Sequence, residues 1–254
     1  MSVFVVIMGA SLAIIIHELG HLFAMKKCGV EVEEICFGFF PSIFPSITFP
    51  ARFIGENTSI TISLFILGGY VWPSESGKLT LEVLPYKDRA VIYGSGIIWN
   101  LIIGFAVFAF YDFWFSQDWL HAIHLLLIGY LIFLLRKELC RYFFPIFGPL
   151  VLMVTAWAIF FLLPLSSQGG PVLMVQEASR MNVAEAFKFV ASLSLGLGLA
   201  NMFPLVFFDG GRIMLDLIRK FYPKLENAYG TITIIIAAIS IAWPIALDVI
   251  RLLF

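Results

Sequence analysis

The chain has 254 residues, of which 61% are hydrophobic and only 13% are charged. An ordinary soluble domain is about 45 to 50% apolar and about 25% charged, so this composition indicates an integral membrane protein. The formal net charge is −1 and there is no basic tract, which argues against nucleic acid as a partner. The cysteines Cys28, Cys36 and Cys140 show no C-x-x-C spacing, so neither a disulfide framework nor a thiolate metal site is expected.

Hydropathy predicts an α-helical membrane protein with about six transmembrane helices in a single domain, residues 1–254. Each segment is close to the ~20 residues that cross a bilayer core. The first has no basic region before it, so we expect it to be retained rather than cleaved as a signal peptide. The predicted segments are 3–25, 90–111, 119–135, 144–165, 189–208 and 229–254.

The basic residues predict the orientation of these helices. If the six segments alternate, Arg180, Lys188 and Arg251 lie on one side, and a much larger group lies on the other. By the positive-inside rule, the larger group is cytoplasmic and both termini face outward. The larger group contains Lys26, Lys27, Lys78, Lys87, Arg89, Arg136, Lys137, Arg141, Arg212, Arg219, Lys220 and Lys224.

Residues 28–75, between the first two helices, predict a membrane-associated β-hairpin. Polar and apolar residues alternate over 59–64 and more loosely over 47–53, and residues 55–58 between them, Gly-Glu-Asn-Thr, favour a turn. An extended substrate could add to the edge of such a hairpin. We therefore expect the strand with Ile60, Ile62 and Leu64 to bind substrate; a purely structural loop is the alternative.

The first helix contains the sequence His17-Glu18-Leu19-Gly20-His21. Residues i and i+4 share one helix face, so His17 and His21 can bind the same metal ion, with Glu18 close to a bound water. Ionisable side chains inside a membrane helix are costly unless they are paired or bound. The alternative is a chance match with two satisfied core histidines.

A catalytic zinc site normally has a third protein ligand. Asp209 is the most conspicuous acid at membrane depth. It lies at the predicted cytoplasmic end of the fifth predicted helix, and His17 and His21 lie toward the cytoplasmic end of the first. We expect it to complete the site; an aspartate in an Asp-Gly turn or helix cap is the alternative.

Three ordered motifs resemble the site-2 protease family of intramembrane zinc metalloproteases, peptidase family M50. They are the H-E-x-x-H motif, Gly68-Gly69-Tyr70-Val71, and residues 201–211 from Asn201 to Gly211. The resemblance implies that His17, His21 and Asp209 bind one Zn²⁺, that Glu18 is the general base, and that Asn201 contacts the substrate backbone.

Two features depart from the family pattern. Gly96-Ile97-Ile98-Trp99-Asn100 is similar to the G-x-x-x-N element of the second helix, but Ile97 replaces the usual proline. Many relatives carry a PDZ domain between the second and third core helices, whereas residues 115–187 here supply additional hydrophobic segments and an outer loop. How substrates are selected therefore does not follow from the resemblance.

These observations predict an intramembrane zinc endopeptidase that cuts a membrane-protein substrate with a transmembrane helix. We expect it in the plasma membrane with the active site toward the cytoplasm. A divalent-metal transporter or metal sensor could use the same ligands, although the absence of a repeat disfavours it. A catalytically silent relative is a third possibility, but it would not need Glu18.

His121 and His124 share a helix face and could suggest a second metal site. With no acid or cysteine clearly placed to join them, an interfacial location of both is favoured.

Overall fold

The computed structural model describes residues 2–38, 45–63, 68–143, 176 and 179–253. This part of the chain contains long helices and one small mixed sheet. The helices are α1 (Ser2–Lys27), α2 (Glu75–Val83), α3 (Tyr86–Tyr111), α4 (Trp119–Glu138), α5 (Val183–Asn201), α6 (Asp209–Phe221) and α7 (Glu226–Leu253). The strands are β1 (Val32–Phe37), β2 (Ser46–Pro50), β3 (Ser59–Ser63) and β4 (Gly69–Pro73).

Four helical segments within the described residues are long and apolar enough to cross a membrane: Val3–Lys27, Tyr86–Ser116, Trp119–Phe143 and Val183–Asn201. They correspond to the first, second, third and fifth predicted segments. The fourth, 144–165, lies outside the described residues, as does most of the outer loop. The sixth, 229–254, coincides with α7, and the count of six membrane crossings stays a prediction.

The predicted bounds of the fifth segment, 189–208, are wrong. Helix α5 begins at Val183 because Asn182 and Glu185 form a reciprocal capping box. It ends at Asn201, and Pro204 lies in the turn that follows. Asp209 is therefore the first residue of a separate helix, α6, rather than the end of a membrane-crossing one.

Helix α3 is the centre of the bundle and packs against α1, α4, α5 and α6. Its first turn is tied to the short π-helical turn that follows α4. The Lys87 ammonium donates to the Tyr142 hydroxyl at 3.1 Å, and Arg141 pairs with Asp88 at 3.0 Å. The beginning of α3 and the end of α4 thus lie at the same end of the bundle, the one predicted to be cytoplasmic.

The region between α1 and α3 folds as a four-stranded sheet with the order β2-β3-β1-β4. The predicted hairpin is present, because β2 and β3 pair antiparallel. It forms part of a larger sheet, in which β1 pairs parallel with β3 and antiparallel with β4. The strands β1 and β4 were not predicted.

The prediction that a substrate pairs with the strand containing Ile60 and Ile62 is wrong. Strand β3 is an interior strand, with β1 on one side and β2 on the other. Ile60 lies opposite Ile35 and Phe49, so the strand has no free edge at this point. Leu64 lies outside the described residues. The edges of the described sheet are β2 and β4.

The sheet packs against the C-terminal end of α1. Ile35 and Val71 are buried with Leu22 and Met25 of α1 and with Ile92 of α3. Burying an aliphatic side chain of this size contributes about 1.5 to 3 kcal/mol. This cluster brings β4 alongside the helix turn that contains Glu18.

Candidate metal centre

Three buried side chains from two helices converge on one point. His17 and His21 project from the same face of α1, and Asp209 reaches them from the first turn of α6. The two Nε2 atoms are 3.1 Å apart, and each is 3.2 Å from Asp209 Oδ2. The exposed fractions of the three residues are only 6%, 8% and 8%. The predicted grouping of these residues is therefore present in the structure.

The outer nitrogen of each imidazole contacts α3. The Nδ1 atom of His21 lies 2.8 Å from the carbonyl oxygen of Ile92, to which it can only donate. The Nε2 atom of His21 is then free of a proton and can bind a metal. The Nδ1 atom of His17 lies 3.0 Å from the side-chain amide of Asn100. Both histidines are thus oriented by the same helix.

Gly96 lets α3 approach the imidazoles this closely. A Cβ atom at this position would lie 2.5 Å from His21 Nε2 and 2.7 Å from His17 Nε2. Such distances are well inside van der Waals contact, so any side chain at this position would displace the two rings. Asn100 lies one helical turn further along the same face of α3.

The donor set fits a zinc ion. Two imidazole nitrogens and one carboxylate oxygen are a known ligand set for catalytic zinc, with metal–ligand distances of about 2.0 to 2.2 Å. Ligands in a tetrahedron of that size are about 3.3 Å apart, close to the 3.1 and 3.2 Å found here. Within the described residues, the buried Oδ2 atom of Asp209 also has no hydrogen-bond partner, as expected of an atom that binds a metal.

Glu18 is buried beside this group but does not belong to it. Its side chain lies against Gly69, the first residue of β4. A Cβ atom on Gly69 would be 2.7 Å from Glu18 Cγ and 3.1 Å from Glu18 Oε1. Glu18 therefore lies between the metal ligands and the end of an edge strand, where it can act on a group bound between them.

Asn201 is the last residue of α5, and its side chain is not part of the three-residue group. Its Nδ2 atom donates to the Leu197 carbonyl oxygen at 3.0 Å within the same helix. Ile60 and Ile62 lie in β3, so their backbone pairs with neighbouring strands rather than facing the metal centre.

The second histidine pair has a partner that the sequence did not reveal. His121 Nδ1 lies 2.7 Å from Asp112 Oδ2, at the turn between α3 and α4. His124 does not join them in a group of three ligands in the described part of the chain. This turn therefore holds a contact between a histidine and an aspartate and offers no second metal centre among the described residues.

Sequence reasoning placed the three ligands together but missed the groups that orient them. The Ile92 carbonyl and the Asn100 amide become relevant only when α3 packs against α1. The G-x-x-x-N spacing was the available signal, because it puts Gly96 and Asn100 on one face of α3. The ion pair between Arg89 of α3 and Asp216 of α6 is not indicated by any local sequence pattern.

Comparison with known proteins connects this geometry to a family. The sequence model described as Peptidase family M50 matches residues 3–243. The chain is 30% identical over 117 residues to the "Putative zinc metalloprotease" of Vibrio cholerae serotype O1, which covers 42% of this chain and 24% of that protein. It is also 30% identical over 104 residues to "Membrane metalloprotease ARASP, chloroplastic" of Arabidopsis thaliana, covering 37% of this chain and 22% of that protein.

The matched segments thus span about a quarter of the length of these relatives. The family match, in contrast, includes nearly the whole chain and every element of the metal centre, from α1 through α3 to α6. The chain belongs to peptidase family M50.

Proposed function

We propose that this protein is an intramembrane zinc endopeptidase of the site-2 protease type, which hydrolyses a peptide bond in or near a transmembrane segment of a membrane-protein substrate. The observation that carries the proposal is the convergence of His17, His21 and Asp209, with Glu18 buried beside them and outside the ligand group. A binding or transport site has no need for this additional carboxylate. A hydrolase needs it as a base.

In this mechanism, His17, His21 and Asp209 would hold a zinc ion, which when bound would supply Lewis acidity for a water molecule and for the scissile carbonyl. Glu18 removes the proton from the attacking water and then delivers it to the leaving amine. Ile92 and Asn100 keep the imidazoles in the orientation that directs their Nε2 atoms inward. The burial of these groups in the helix bundle keeps bulk water away from the reacting atoms.

The substrate must be extended to react, because a helix holds its carbonyls in hydrogen bonds from residue i to i+4. Unwinding in the membrane exposes backbone groups that cost several kcal/mol unless they find partners. Strand β4 can supply those partners, because it is an edge of the described sheet and begins at Gly69, beside Glu18. The proposed substrate strand adds to β4 and passes the metal centre.

The side chain of Asn201 has an acceptor oxygen that can also contact the backbone of the unwound substrate. Its Nδ2 atom is used within α5, which leaves the Oδ1 atom to accept a hydrogen bond from a substrate amide. Asn201 is eight residues before Asp209 and ends the helix that leads to it. We assign it the role of a contact for the substrate backbone.

The test compares cleavage of a single-span membrane protein by the wild type and by Glu18→Gln, both purified in the same detergent. Loss of the base should lower the rate about 10²- to 10⁴-fold, whereas zinc measured by elemental analysis should remain at one ion per chain. Glu82→Gln, an exposed glutamate on α2, is the matched control and should cleave like the wild type. Cleavage by Glu18→Gln at the wild-type rate would refute the mechanism and favour a metal transporter or sensor.

A further inference from the structure

A buried ion pair connects α3 to α6, the helix that carries Asp209. The Arg89 Nε atom lies 2.7 Å from Asp216 Oδ2, and the exposed fractions of the two side chains are 19% and 7%. Asp216 is seven residues after Asp209, which is two helical turns and about 10 Å along α6. Asp209, Ile213 and Asp216 are all buried and define the inward face of this helix.

Arg89 also makes contacts that fix its own position. Its Nη1 atom donates to the carbonyl oxygens of Glu82 and Leu84, both at 3.0 Å, where α2 ends. A cation in the first turn of a helix is opposed by the helix dipole, so propensity does not explain Arg89 at the start of α3. Its charge is instead used by Asp216 and by the carbonyls at the end of α2.

The first turn of α6 packs closely against the backbone of the turn that precedes it, with no space for a side chain at two positions. Cβ atoms on Gly210 and Gly211 would lie 2.0 Å from the Met202 carbonyl oxygen and 1.9 Å from the Leu205 carbonyl oxygen. This contact holds the backbone of α6 at one point, close to Asp209. The direction of the helix beyond this point depends on what holds its later turns.

We propose that the pair of Arg89 and Asp216 is a positioning element for the metal centre: it sets the direction of α6 so that Asp209 reaches His17 and His21. This inference rests on the proposed function, because it takes the three residues as zinc ligands. It assigns Arg89 and Asp216 no contact with metal or substrate. Their effect passes through the backbone of α6.

The same helix provides a matched control. Arg219 Nε lies 2.7 Å from Glu226 Oε1, the same distance as in the pair of Arg89 and Asp216, but these side chains are 53% and 35% exposed. An exposed pair contributes little, whereas removing one partner of a buried pair leaves an uncompensated charge. The buried pair joins α6 to α3, whereas the exposed pair joins α6 to α7.

The experiment measures zinc affinity of the purified full chain by competition with a chromogenic chelator. Arg89→Gln and Asp216→Asn should each weaken zinc binding about 10-fold or more, in the range found for groups that support metal ligands indirectly. Arg219→Gln should bind like the wild type. The double variant Arg89→Gln/Asp216→Asn should lose less than the sum of the single losses, because it leaves no buried charge unpaired.

Two further readouts separate positioning from general stability. The visible spectrum of the Co²⁺-substituted protein reports ligand geometry, and it should change in Arg89→Gln but not in Arg219→Gln. Arg89→Lys keeps a positive charge for Asp216 but loses the planar fork that also reaches the carbonyl oxygens at the end of α2, so its zinc affinity should lie between those of Arg89→Gln and the wild type. It also provides a variant that keeps the charge if Arg89→Gln does not fold.

Unchanged zinc affinity in Asp216→Asn, and in Arg89→Gln where that variant folds, accompanied only by a lower melting temperature, would overturn the inference and leave the pair a stabilising contact. A wild type that binds no zinc would instead overturn the proposed function, and the inference with it.

Discussion

Asn100 contacts the metal centre at one atom of His17, and the identity of the contacting amide atom follows from the chemistry of the site. If His17 Nε2 binds a metal, its Nδ1 carries the proton and must donate. The side-chain amide must then present Oδ1 at the 3.0 Å contact that the structure gives to Nδ2. The buried Oδ1 atom has no hydrogen-bond partner among the described residues, and rotating the amide by half a turn gives it one.

Substitution of Asn100 tests this assignment. Asn100→Asp keeps an acceptor oxygen toward His17, so it should retain zinc affinity within about 10-fold, whereas Asn100→Leu removes the acceptor and should lose about 10- to 100-fold. Chelator competition measures both. If Asn100→Asp bound zinc no better than Asn100→Leu, the amide Nδ2 atom would be the group that contacts His17, and the assignment of Oδ1 to this contact would be wrong.

Gly96 allows α3 to lie directly against the two imidazoles. Gly96→Ala should abolish zinc binding, because the new methyl group would lie within 2.5 Å of His21 Nε2. Gly104→Ala is the matched control on the same helix, since its Cβ would be equally close to the Leu195 side chain, 2.5 Å from Cδ2. Leu195 can change rotamer, so Gly104→Ala should cost about 1 to 3 kcal/mol of stability and keep the zinc. Loss of zinc in both variants would contradict this account.

At the scale of elements, the sequence predicted local patterns well and non-local pairing poorly. The metal-binding face of α1 and the β2–β3 hairpin depend on spacing within a few residues, and both are present. Strand β1 contains Glu33 and Glu34 side by side, which disrupts the alternation by which a strand is recognised. Its parallel pairing with β3 joins segments separated by a long connection, and this pairing made β3 an interior strand.

The edge position of β4 yields a prediction about the substrate. Synthetic transmembrane substrates with one N-methylated backbone amide at a time should be cleaved slowly at every second position, because alternate amides of an added strand face β4. Mass spectrometry of the products provides the rates. A loss that does not alternate along the substrate, or no loss at all, would rule out strand addition.

For the molecule as a whole, the predicted membrane crossing by α3 puts the metal centre deep in the bilayer. Gly96 is ten residues after Tyr86, the start of α3, which places the centre about 15 Å from that end of the helix. A bilayer core is about 30 Å thick, so a centre at this depth needs a path through the protein by which water can reach it. The positive-inside rule predicts that the end of the bundle at which α3 begins and α4 ends is cytoplasmic.

Cysteine labelling tests this orientation. In a Cys28→Ser background, where Cys36 and Cys140 remain buried, single cysteines at Lys78 and Arg136 should react with an impermeant maleimide only from the cytoplasmic side. A cysteine near the N-terminus, at Ser2, should react from outside. Labelling at position 78 or 136 from outside would overturn the predicted topology.

The central claim is that zinc-dependent hydrolysis takes place in the membrane segment of a substrate. The most direct measurement is the mass of the products released from a single-span protein by the purified wild type, with and without a chelator. We expect the substrate to be cut in or near its transmembrane segment. This cleavage should be lost on chelation, restored by Zn²⁺ and absent with Glu18→Gln. Products cut only in the water-exposed flanks far from that segment, or cleavage that continues without metal, would contradict it.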